Sequence, residues 1–183
     1  MIEPSAAARR SMAAENSDEV WIDLITMTHP ELETPIRLTN DKTEFLSVEG
    51  DTPLYGTRSR GAGRVGPDAA DPVHVFNYVP FAIAWPGYEE GAVPEIPLKI
   101  DMIDRAKILP LLRTRYEGRV KCLVESVLAS APDVVNFRFA GFYLVAAPWN
   151  DVSAELKLQL ARYDLEPYPV GVLTPAIAPG LFP

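Results

Sequence analysis

Few residues in this 183-residue chain are of types that do chemistry. It has two histidines, His29 and His74, and one cysteine, Cys122. No H-x-x-x-H or H-E-x-x-H spacing exists, so a zinc site would need carboxylates gathered from distant segments. A Cys122–histidine dyad stays open to the sequence. However, Cys122 lies between Lys121 and Leu123 in a strand-like run, which favours a buried, inert thiol. His29 precedes Pro30 and reads as a turn residue, and His74 reads as a strand residue. Gly61-Ala-Gly63-Arg-Val-Gly66 matches the G-x-G-x-x-G pattern. That pattern works only between a buried strand and a helix start. The flanks, Gly56-Thr-Arg-Ser-Arg60 and Pro67-Asp-Ala-Ala-Asp-Pro72, supply neither, so the segment reads as a flexible loop. Asp101 and Asp104 form a possible carboxylate pair, but they read as the solvated side of a strand and a helix cap. A glycosidase pair also needs a cleft. No nucleophile elbow or P-loop is present. Three arginines, Arg58, Arg60 and Arg64, share the Gly-rich stretch. They fit either a solvated loop or an arm that orders on an acidic neighbour. Trp21, Trp85, Trp149 and the phenylalanines read as core.

The elements that would position these residues are short. Proline is the compositional outlier, at 18 residues. It breaks helix interiors and sheet ladders, which excludes a long-helix bundle. Residues 1–18 predict a helical arm, rich in alanine with Ser5 as its cap. Residues 19–165 predict a β-rich domain. Val20–Thr28, Pro35–Thr39 and Thr43–Val48 read as strands, the first two as a hairpin. Residues 49–72 read as a long loop. Val73–Trp85 reads as one strand interrupted at Pro80, and Ile96–Ile103 as another. Asp104 would cap one short core helix over Arg105–Arg115, with Pro110 as an obstacle. Arg119–Ala131 and Val134–Ala147, the latter broken near Gly141, read as strands joined by a turn at Pro132-Asp133. Ser153–Ala161 alternates cleanly, with Ala154, Leu156, Leu158 and Leu160 on one face. Residues 166–183 form a Pro-rich C-terminal arm. The expected fold is mainly β: an antiparallel β-sandwich or open barrel with one short core helix, an N-terminal helix and extended arms.

Charge narrows the function. Seventeen basic against 25 acidic residues give a net charge of −8. That argues against affinity built on phosphate neutralisation, hence against specific nucleic-acid binding. One cysteine allows neither an intrachain disulfide nor a cysteine metal cluster. No apolar run approaches roughly 18 residues, so no membrane span is expected. Residues Met1 to Asn16 lack the apolar stretch of a secretory signal. No cofactor site emerges. Arms and long loops without chemistry suit an assembly subunit, because ordering them can wrap a neighbour's surface.

Several phrases carry a resemblance. Thr28-His-Pro-Glu-Leu32 followed by Pro35-Ile-Arg-Leu-Thr-Asn-Asp41 resembles the opening of a family of uncharacterised tail proteins of long-tailed phages and prophages. Pro80-Phe-Ala-Ile83, Leu98–Arg105, Leu128–Asp133 and Thr174–Phe182 are similar to later blocks of that family, in the same order. The resemblance covers roughly residues 15 to 182. It implies a structural subunit of the virion tail tip with a tail-tube-like fold. Such a subunit would form a homo-oligomeric ring, hexameric or trimeric, between tail tube and hub, at the distal tail or near the minor tail protein L type. DNA would pass its lumen without sticking, which the acidic balance suits. The minor tail protein L type is known for a cysteine-ligated iron–sulfur cluster. With only Cys122, this chain cannot hold one alone. No catalytic residues transfer. Partner contacts are expected from Arg58, Arg60 and Arg64 and from Pro179, Leu181 and Phe182 in the C-terminal arm. The competing expectations are a tail-associated cell-wall hydrolase and a stand-alone ligand-binding module.

Overall fold

In a computed structural model, residues 3–64, 73–85, 94–101, 120–148 and 153–160 are described. They form one helix, α1 (Ala6–Ala13), and ten strands. The strands are β1 (Trp21–Thr28), β2 (Ile36–Thr39), β3 (Glu44–Glu49), β4 (Thr52–Ser59), β5 (His74–Tyr78), β6 (Phe81–Ile83), β7 (Glu95–Asp101), β8 (Lys121–Leu128), β9 (Ala131–Ala146) and β10 (Ser153–Leu160). All lie in one sheet of order β3-β4-β5-β2-β1-β8-β9-β10-β7-β6. The fold is mainly β, as expected, and the sheet is open, with β3 and β6 as its edges.

Local sequence accounts for the strands. β1 is built of branched, aromatic and long apolar residues that suit a pleated surface. It pairs with β2 through Leu24↔Thr39 to Met27↔Ile36, as the predicted hairpin requires. It pairs with β8 from Trp21↔Leu128 to Thr28↔Lys121. β10 keeps its predicted alternation: Ala154, Leu156 and Leu158 are buried while Glu155 and Lys157 are exposed. β7 repeats it with Ile96, Leu98 and Ile100. Register sets Leu156 against Leu98 and Leu158 against Ile96, which merges the two apolar rows.

One core joins both halves of the sheet. Ile25 and Met27 of β1, Leu38 of β2, Val124 of β8 and Phe142 of β9 cluster with the apolar rows of β7 and β10. The sheet must therefore curl until β7 shares a core with β2. The chain itself marks the seam: Val79 N–H donates to Thr39 O at 3.0 Å, and Asp101 N–H donates to Pro80 O at 3.0 Å. Two consecutive residues thus reach β2 on one side and β7 on the other. A second apolar cluster, Ile22, Leu24, Ala62, Phe76 and Val127, lies on the opposite face of β1 and β8.

Several expectations need correction. The long loop over 49–72 contains a strand: β3 turns at Gly50 (φ 61°) and returns as β4. Pro53, Gly56 and the polar residues of β4 hid its period from the sequence. The single strand over Val73–Trp85 is two, because Val79–Pro80 sends β5 and β6 to different parts of the sheet. The turn placed at Pro132-Asp133 falls at Ala129–Ser130, and both later residues belong to β9, which runs unbroken through the expected break at Gly141 because glycine takes its positive φ of 83° without leaving the strand. The sheet is not wholly antiparallel, since β2 and β5 run parallel. The expected core helix over Arg105–Arg115 and the arm over 166–183 lie outside the described residues.

The N-terminal helix forms as expected. Ser5 Oγ accepts from Ala8 N–H at 3.1 Å, the standard N-cap bond. Ser5 N–H donates to Asn136 Oδ1 at 3.0 Å and Ala8 is fully buried, so α1 docks on its own sheet.

Leu156 is the centre of the β7–β10 layer and 1% exposed. Leu156→Ala should cost about 2–5 kcal/mol, read from denaturant unfolding. Asp23 of β1 offers a pH test. Burial raises its carboxyl above the usual range, partly offset by a hydrogen bond with Ser126. A raised folded value means the unfolded chain releases this proton first, so stability falls as pH climbs above about 4. Asp23→Asn should flatten that part of the stability–pH curve.

Candidate functional site

The chemistry-bearing side chains gather where β4 ends. After Ser59 the chain leaves the sheet and crosses the outer face of β1 and β8 as a strap, residues 60–64. The crossing is close. A Cβ at Gly61 would stand 1.9 Å from Asp133 O, and one at Gly63 2.9 Å from the Phe76 ring. Gly63 also has a φ of 73°, a left-handed conformation that glycine adopts without strain. The glycines of the G-x-G pattern thus serve close backbone approach to the sheet. Ala62 between them is fully buried and completes the second apolar cluster.

The strap is tied by polar groups. Ser59 Oγ donates to Pro132 O at 2.7 Å and accepts from Ala62 N–H at 3.0 Å. Arg60 N–H donates to Asp133 Oδ1 at 2.7 Å. His74 Nδ1 lies 2.6 Å from Ala62 O. At the centre sits Glu125 of β8, fully buried. Its Oε2 accepts from Gly63 N–H at 2.6 Å. Its Oε1 accepts from Arg138 Nε at 2.7 Å and pairs with Nη2 at 2.6 Å. A carboxylate taken out of water needs this full set of donors.

Next to the strap is a hollow of about 290 Å³. Thr26, Thr28, Lys121 and Arg138 of the sheet line it, together with Arg64 of the strap. Arg64 Nε donates to Arg60 O at 3.0 Å, which folds the side chain back along the strap.

The three sequence-predicted arginines therefore separate. Arg60 and Arg64 share the strap. Arg58 belongs to β4, not to a loop: its guanidinium pairs with Glu44 and its Nη2 donates to Leu46 O at 2.9 Å across the β3–β4 hairpin. Pro179, Leu181 and Phe182 lie outside the described residues. Lys121, Glu125 and Arg138 were not anticipated as site residues. The usable signal was a lone acid in the apolar stretch Cys122–Leu128 and a lone arginine in Phe137-Arg-Phe139.

Burial pushes the Cys122 thiol up to about 12, so it stays protonated at neutral pH and is a poor nucleophile. His29 Nδ1 accepts from Glu31 N–H at 3.2 Å within the predicted turn. Among the described residues, no group of three or more histidine, cysteine or acidic side chains is placed to hold a metal. Among them, too, no helix is long and apolar enough to cross a membrane.

The sheet edge at β3, unpaired among the described residues, forms a second feature. Phe45, Val48 and Tyr55 of the β3–β4 hairpin are 52%, 58% and 41% exposed. Phe45 and Tyr55 sit directly opposite and pack edge to face, with centroids 6.0 Å apart.

Residues 7–130, more than half of the chain, match the family described as DUF1833, a domain of unknown function. The chain belongs to that family. No curated protein matches it. The DUF1833 segment carries the strap, Glu125 and the exposed hairpin, whereas Arg138, β9 and β10 lie beyond it. Yet β7, inside the DUF1833 segment, reaches β8 in the ladder order only through β10 and β9. The sheet thus extends past the DUF1833 boundary.

The Glu125–Arg138 pair can be tested directly. Arg138→Met leaves a buried carboxylate without its cation and should cost about 3–5 kcal/mol. The double variant Glu125→Leu/Arg138→Met should cost less than that single change, measured by denaturant unfolding.

Proposed function

We propose that this chain is a structural subunit of a phage or prophage tail tip, part of a homo-oligomeric ring joining the tail tube to the central hub. The observation that carries this reading is the β3–β4 hairpin. Proteins that work alone blunt a free sheet edge with lysine, proline or a cover. β3 runs six residues along the edge without lysine or proline and, among the described residues, without a covering strand; between its end residues Glu44 and Glu49, and despite a register shift against β4 between Phe45 and Ser47, it holds Phe45 and Val48 exposed. An edge of this kind suits continuation into a neighbour's sheet, where main-chain hydrogen bonds give affinity and side chains give register.

The subunit's own architecture supports the ring form. The curled sheet is filled by side chains from β1, β2, β7, β8, β9 and β10. Its interior is a packed core, so any channel would run between subunits. The acidic balance keeps such subunits apart until a specific contact forms. The family resemblance in Thr28–Asp41 and the later blocks supplies the tail context.

The test is the mass and shape of the purified full chain, by light scattering and electron microscopy. Wild type should assemble into closed rings. Phe45→Glu combined with Val48→Lys should yield folded monomers, since both side chains are exposed and contribute little to the core. A wild type that stays a monodisperse monomer at high concentration overturns the reading.

A further inference from the structure

We propose that the hollow between the strap and the sheet is an oxyanion-binding site, taking a phosphate or carboxylate group among Arg64, Lys121 and Arg138, with Thr26 at its floor. This reading is independent of ring assembly. It rests on two sets of observations.

The first is charge. Three cations line one hollow in a protein of net charge −8. Arg138 is matched by Glu125. Arg64 and Lys121 line the same space with no carboxylate among the described lining residues. The hollow is thus left with a surplus of positive charge, and its walls raise the field above that of open surface.

The second is hydrogen-bonding capacity. Among the described residues, two buried side-chain polar atoms have no partner: Thr26 Oγ1 and Arg37 Nε. They belong to residues directly opposite each other in the β1–β2 ladder. Thr26 is 1% exposed and lines the hollow. Buried polar groups are normally satisfied, and an unmade bond costs about 1–3 kcal/mol. The Thr26 hydroxyl, lining the hollow beside that surplus positive charge, is what an acceptor oxygen of an anion would satisfy.

The donors differ in reach. Arg64 sits on the strap and Lys121 at the start of β8, so they close the hollow from two sides. Arg138 is held by Glu125 and presents a guanidinium already fixed in orientation. Thr26 offers a hydroxyl, which serves carboxylate and phosphate oxygens equally.

The experiment is calorimetric titration of the full chain with inorganic phosphate and, separately, with acetate, at ionic strength matched by sodium chloride. Saturable binding of either ion supports the site. A preference for phosphate identifies a phosphoryl-bearing ligand. A preference for acetate identifies a carboxylate, such as an acidic side chain of a neighbouring subunit. Arg64→Gln and Lys121→Gln should each weaken binding about tenfold, the value of a charge-assisted hydrogen bond. Their melting temperatures without added ion should match wild type. Thr26→Val should weaken binding and yet raise the melting temperature without ion, because it removes an unsatisfied hydroxyl. A purely structural Thr26 would not give that pair of effects. The proposal is overturned if both ions act no differently from chloride, or if binding survives all three substitutions unchanged.

Discussion

The buried carboxylate of Glu125 is the constraint on which the outer face of this sheet depends. It stands in the central strand pair, where β1 and β8 are apolar on both sides, and it is fully removed from water. Ionised, it tolerates that position only with its oxygens engaged. Arg138 and the amide of Gly63 engage them. The Gly63 contact fixes the strap, and the strap brings Ala62 down over Ile22, Leu24 and Val127. Without that cover, a second apolar face would meet solvent. One acid therefore couples a long-range ion pair, a backbone crossing and a satellite core. The glycines follow from the same demand, because side chains at positions 61 and 63 would hold the strap away from the sheet.

A different constraint governs the inner core. The order of strands separates β5 from β6 by most of the sheet, while the sequence separates them by two residues. The curl resolves this conflict. Proline suits the joint, since it has no N–H to leave unpaired, and its carbonyl still accepts from Asp101. Val79 turns inward and is fully buried. The apolar rows of β7 and β10 then fold against β1 and β2, which local alternation alone could not have arranged.

This separates what the sequence could show from what it could not. Period-two patterns identified β7 and β10, because half-burial writes itself into alternation, and branched and aromatic residues identified β1. Ser5 was legible as a cap, since capping is local. β4 was missed because Pro53 and Gly56 resemble loop residues, although β3 and β5 flank the strand and complete its ladders. Pro80 marked the interruption between β5 and β6, but the parallel β2–β5 contact and the separate places of the two strands in the sheet are non-local and left no mark in any short window. The strap shows the same limit more sharply. Its glycines were visible, and their context argued against a nucleotide loop. Their real partners, Glu125 and Arg138, are 62 residues or more away. Arg58, Arg60 and Arg64 looked alike in sequence; only the register of β4 with β3 assigned Arg58 to Glu44 and left the other two on the strap.

Charge and apolar surface are distributed differently, and this bears on how such a chain could recognise anything. The basic side chains of the strap and β8 converge on the centre of the sheet, beside a carboxylate that can balance only part of them. The exposed aromatic pair lies at the edge, where the ladder is unfinished. An acidic molecule gains little from meeting another copy through its general surface, because long-range repulsion opposes every orientation alike. It gains where main-chain donors and apolar side chains coincide, since those contacts are short-ranged and register-specific. The hollow works on the opposite principle: focused positive charge draws a small anion from a distance, and fixed donors hold it. An edge suited to a strand and a hollow suited to an oxyanion thus make separate demands on a binding partner. The same fold supports both, because the strap that seals the outer face of β1 and β8 stays clear of β3, the edge strand among the described residues.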